Sequence, residues 1–162
     1  MVAEYDAKPR EIRNFVLVQL GLTVLFLLLL TWMFDGVNAD RPAVWVWVVL
    51  LAAVAVAAFF AERVWLSTTP LNTADQDAAT TGLGIYAGQT VRKLAYCEVP
   101  ILLGIVFAFA TDNAAWPILI AGVPGFLVLA FEIWPSARNL SLTETMLDSG
   151  GAESGLIESF HK

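Results

Sequence analysis

Two runs of twenty residues without a charge, Phe15 to Phe34 and Pro42 to Ala61, constrain this chain more than any other feature. An α-helix rises about 1.5 Å per residue, so each run makes about 30 Å of apolar helix, the thickness of a bilayer's hydrocarbon core. Two further stretches follow, Leu94 to Thr111 and Ala114 to Trp134, each with one carboxylate inside it, Glu98 and Glu132. In hydrocarbon the backbone must satisfy its own hydrogen bonds, which an uninterrupted helix does. The expected fold is therefore all-α: an integral membrane four-helix bundle of two in-out-in hairpins, with a short cytoplasmic C-terminal tail. A chain that is 58% hydrophobic and 15% charged exposes more apolar surface than a soluble domain this small can cover.

The segments between the spans set the domain boundaries. Residues 1–13 form a polar N-terminal segment, residues 14–135 the transmembrane domain and residues 136–162 the tail. The first run is too long for a signal-peptide core and has no small-residue cleavage site after it, so it is read as an uncleaved span. Trp32 and Phe34 mark its far interface, and Trp45 and Trp47 mark that of span 2. Pro42 is expected in the first helical turn, where a missing N–H loses nothing. Residues 64–90 are read as a long loop broken at Pro70, with Thr80 or Thr81 able to cap a helix running through Tyr86 into span 3. Gly84 and Gly88 are taken as loop glycines rather than a helix-contact motif. Pro124 should kink span 4, where Gly122 and Gly125 allow close packing. In the tail, Leu140, Leu142, Met146 and Leu147 suggest a short amphipathic helix ending at Gly150 and Gly151. Leu156, Ile157 and Phe160 fit either a surface helix on the membrane or a partner, or a disordered end.

Charge decides orientation and excludes several functions. Of nine Lys and Arg residues, eight flank the N-terminus, the middle loop and the tail, and only Arg41 lies on the other side. The positive-inside rule then puts both termini and the 64–90 loop in the cytoplasm. A net charge of −6 argues against a nucleic-acid partner. One cysteine, Cys97, and one histidine, His161, leave no basis for a zinc or haem site, so no metal and no cofactor is expected. No phosphate-binding glycine loop, nucleophile elbow or metalloprotease motif is present, and the chain is not expected to be an enzyme.

The candidate site is intramembrane. Glu98 lies six residues beyond Arg92, and Gln19 six residues beyond Arg13. Both should sit about 8–9 Å inside the boundary marked by those bases. A carboxylate at that depth needs a partner, and Gln19 is the expected one, across helices 1 and 3. Pro100 removes the N–H that the carbonyl of Tyr96 would otherwise engage. A carboxylate, a freed carbonyl and a kink then fall within one turn. At the boundary, Arg92 or Lys93 is expected to pair with Glu132, and Arg13 with Glu62. The matching positions of Gln19 and Glu98, and of Glu62 and Glu132, also fit either an internal duplication or ordinary interface chemistry.

The segment RKLAYCEVPILLGIVFAF has a Leu-Ala-x-x-Glu outline that resembles the carboxylate helix of rotary-ATPase c subunits, where the glutamate carries the ion. The glycine-rich partner helix of that family is missing here, and Pro100 and Pro124 depart from its pattern. The layout of the whole chain resembles small four-span bacterial membrane proteins of no assigned activity, which implies a fold and an inner-membrane location. The leading functional expectation is a structural or accessory membrane protein. Its partners would be the lipid bilayer and either a second copy or a larger membrane complex. One alternative is a proton- or cation-handling protein using Glu98. Another is a membrane-anchored binding module acting through the acidic tail.

Overall fold

The computed structural model describes residues 8–38, 40–73 and 77–161. The first seven residues and Lys162, which entered the reading of segments and orientation, lie outside them. The described chain is all-helical. Helix α1 is Pro9–Met33, α2 Val44–Glu62, α3 Ala78–Ala110, α4 Trp116–Ile133, α5 Ala137–Asp148 and α6 Leu156–His161. A 3-10 turn, Val64–Ser67, follows α2. The first four helices are long and apolar enough to cross a membrane.

Helix α1 opens at Pro9 with no side-chain cap, where a ring that fixes φ and lacks an N–H is well tolerated. Pro42 falls two residues before α2 rather than in its first turn. Helix α3 is 33 residues long and starts at Ala78. It runs through Tyr86 into span 3 as expected, so the end of the 64–90 segment is helix, and α3 extends to about 50 Å, well past the thickness of a bilayer core. Its N-cap position is Asp77. Thr80 does not cap it; its hydroxyl donates to Asp77 Oδ1 at 3.0 Å. Gly84 and Gly88 are helical, yet a Cβ at either would meet no atom within 4 Å, so they make no helix contact. The assigned helices run continuously through Pro100 and Pro124.

The four long helices alternate in direction. Val16, Ala61, Cys97, Leu129 and Ile133 pack together near one end, whereas Leu30, Ala108 and Ile118 pack towards the other. At that second end the short loops are stitched together: Ala115 N–H donates to Gly36 O at 2.9 Å and Asn113 Nδ2 to Asp40 O at 3.2 Å. Helix α4 is the hub, touching α1, α2 and α3. Small residues let it do so. A Cβ on Gly104 would come within 2.8 Å of Pro117 O, and one on Gly122 within 2.6 Å of the Leu27 side chain. Packing of this kind holds membrane helices together, because lipid tails are as apolar as leucine. The two halves pack differently: α3 and α4 pack tightly, whereas α1 lies on α4 and scarcely meets α2.

Beyond the bundle, the protruding part of α3 gathers the tail into a cap. Leu83 and Tyr86 of α3 meet Leu140 and Leu147 of α5, Leu156 and Phe160 of α6, and Ile12 of α1 in one buried cluster. The buried apolar side chains of the tail, Leu140, Leu147, Leu156 and Phe160, thus face their own chain. Leu71 N–H donates to Leu147 O at 2.9 Å. Gly150 is required beside it, since a Cβ there would fall 2.2 Å from Leu71 O. Glu144 receives the Ile157 N–H at 3.2 Å, which satisfies one otherwise unpaired donor at the start of α6.

Candidate functional site

Gln19 on α1 and Glu98 on α3 meet: Gln19 Nε2 donates to Glu98 Oε1 at 3.0 Å. One turn along α1, the Thr23 hydroxyl donates to the Gln19 carbonyl at 2.9 Å. The pair stands in the wall of a groove of about 420 Å³ between α1 and α3, lined otherwise by Thr23 and apolar side chains. The groove exists because α1 packs on α4 and leaves the space beside α3 unfilled. Glu98 is half-buried, and no other donor reaches its carboxylate among the described residues. The side chains of two further residues named with this site, Tyr96 and Pro100, do not face the groove. Tyr96 stacks on Phe60 of α2, with ring centroids 5.9 Å apart, and Pro100 packs under Gly125 of α4. Side chains two positions from Glu98 point about 200° away around a helix.

A second polar centre lies where the spans meet the cap. Lys93 Nζ donates to Glu132 Oε2 at 2.9 Å and to the Glu132 carbonyl at 3.3 Å. Both side chains are almost wholly buried, at 8% and 5% exposure. Of the two bases proposed for Glu132, the structure uses Lys93; Arg92 is exposed. The pairing of Arg13 with Glu62 is not formed. Glu62 is taken by Arg138 of α5, because α1 does not run beside α2 and Arg13 points outward. The Glu62 carboxylate holds the Arg138 guanidinium above its ordinary value. The two ion pairs, Lys93 with Glu132 and Arg138 with Glu62, draw two acids and two bases from four helices into a collar.

The sequence analysis missed the polar side chains that lock this collar. Asn139 Nδ2 reaches the carbonyls of Phe131, Glu132 and Trp134 at 3.0, 3.0 and 2.9 Å. The end of a helix leaves such carbonyls without intrahelical partners, and Asn139 closes the end of α4 from α5. Thr143, one turn further, donates to Gln89 Oε1 at 2.9 Å, and Gln89 donates to Thr68. The available signal was the spacing of Asn139 and Thr143, four apart on one face of a tail helix that also buries Leu147. Cys97 is fully buried among Val16, Ala61 and Leu129 and serves packing.

No family model matches this chain. No curated protein and no solved structure matches it either. The collar is internally matched in charge and hydrogen bonding. The Glu98 centre has a single amide partner and an open apolar space beside it.

Proposed function

We propose that this chain is a structural or accessory multi-pass protein of a bacterial inner membrane, acting within a homo-oligomer or a larger membrane complex. In this reading both termini, the collar and the α5–α6 cap face the cytoplasm. The observation that supports it is how the polar groups of the spans are used. Gln19 with Glu98, and Lys93 with Glu132, join one helix to another, a role that polar side chains serve in membranes. The uneven distribution of Lys and Arg supports the orientation.

Native mass spectrometry after extraction in a mild detergent tests the assembly. The expected species is a multiple of the 17.6 kDa chain or a complex with other proteins; a bare monomer under all gentle conditions rejects it. Cysteine accessibility tests the orientation. A cysteine at Asn38 should react with an impermeant reagent in intact cells, and one at Glu153 only after lysis.

A second reading is favoured by one observation: Glu98 borders an open groove instead of a closed helix interface. In that reading Glu98 binds a cation during the protein's work, which Glu98→Gln would abolish while leaving expression intact.

A further inference from the structure

The groove between α1 and α3 combines three properties. It is open sideways, since Leu22, Leu25, Leu29 and Leu102 in its lining are each about half exposed on the surface that lipid covers. Its volume of about 420 Å³ lies in the range of small-molecule sites. It holds one carboxylate whose only bonded partner among the described residues is a neutral amide. A carboxylate so placed in hydrocarbon is expensive unless a donor or counter-charge meets it.

We propose that this groove is a binding site for lipophilic amines, with Glu98 receiving the protonated amine and the apolar walls taking its hydrocarbon body. The inference rests on the second reading above, that Glu98 meets a cation, and names the kind of cation. The lining selects it. A hard metal ion wants six or more oxygens around it. Here the polar lining is Glu98, Gln19 and Thr23, and Thr23 is committed to the α1 backbone. An ammonium group needs one counter-charge and one or two acceptors, which the Glu98 carboxylate and the Gln19 amide oxygen provide. The apolar body would lie along Leu22, Leu25, Ile101 and Leu102 in place of a lipid tail. Phe26, also in the lining, offers a ring face that attracts a cation. Entry is from the membrane, so the ligand partitions into lipid before it meets Glu98.

The test is binding of decylamine and decanol to the purified protein in nanodiscs, followed by thermal stabilisation and by protection of Glu98 from dicyclohexylcarbodiimide. Decylamine should bind saturably, and Glu98→Gln should weaken it by about tenfold or more. That substitution preserves shape and the bond to Gln19. Decanol should bind wild type and Glu98→Gln alike and more weakly than the amine. Leu102→Trp, which fills the groove and leaves Glu98 in place, should also weaken decylamine. Equal binding of decylamine and decanol to wild type would mean that the groove simply holds acyl chains, and would overturn the proposal. So would a Leu102→Trp variant that dissociates an oligomer while amine binding stays unchanged, since the occupant would then be a second copy. Protection of Glu98 by sodium ions but not by decylamine rejects the amine and keeps the cation reading. Absence of protection by either, or of any labelling at Glu98, rejects both, because a groove open to decylamine admits the carbodiimide.

Discussion

Glu98 and Glu132 are the two carboxylates inside the long apolar stretches, and their surroundings are opposite. Glu132 is 4% exposed. It holds Lys93 at 2.9 Å, and its carbonyl is covered by Asn139. Glu98 is half-buried on the wall of an open groove and holds one uncharged amide. A buried charge is tolerated when its counter-charge is supplied by the same chain, and then its role is architectural. A charge left unmatched inside the apolar layer invites a partner from outside. The difference follows from packing. Helix α4 is the hub and its end is sealed by the cap, whereas α1 stands away from α3.

Removing one side of the matched pair should have the largest effect. Glu132→Ala, or Lys93→Met alone, should destabilise the fold by about 3–5 kcal/mol, because each leaves a buried charge alone. Unfolding in mixed detergent measures it, and replacing both residues with apolar ones of similar size should recover most of the loss. If Glu132→Ala costs no more than Glu98→Ala, the contrast between the two sites is wrong. Asn139→Ala should come next, at about 1–3 kcal/mol, since the carbonyls ending α4 lose their donor. Hydrogen exchange should then rise at the α4–α5 junction and not along α1.

Gln19→Ala should cost about 0.5–2 kcal/mol, the usual range for a hydrogen bond between membrane helices. It should also loosen α1, seen as faster exchange or cross-linking between α1 and α3. Arg138→Ala should cost roughly 0.2–1 kcal/mol, because its pair with Glu62 is about two-fifths exposed and water screens it. Stability measured against salt should fall less in that variant than in wild type. Glu98→Gln should have the smallest effect on stability, under about 0.5 kcal/mol. A large loss of folded protein on Glu98→Gln would show that the negative charge itself holds the bundle together.

The spans were legible because length and lack of charge report directly on lipid. Relative height was legible too. Equal spacing from the boundary bases put Gln19 and Glu98 level, and in the structure they are 3.0 Å apart. Lateral neighbours were not legible. Nothing in the pattern of α1 says that it lies on α4, since a lipid-facing leucine and a helix-facing leucine look alike. The same gap sent Arg13 to Glu62, where the structure has Arg138. In the tail, Leu140, Leu156 and Phe160 announced an apolar face without naming what it would cover. The protruding stretch of α3 that covers it was legible only as a capped approach to span 3, because Thr and Gly fill six of positions 78–90 and are weak helix formers. Burial of Leu83 and Tyr86 under the tail overrode that local preference.

By itself, then, the amino-acid sequence determined four apolar helices, their alternating direction, and the depth of each polar group along its own helix. These follow from rise per residue and from the cost of unpaired backbone in lipid. Only the tertiary structure decided which helix is central, which base meets which acid, and that Glu132 is enclosed while Glu98 opens onto a groove. Those choices depend on close approach at residues such as Gly104 and Gly122. Close approach is a property of two surfaces together, and one helix's pattern does not contain it.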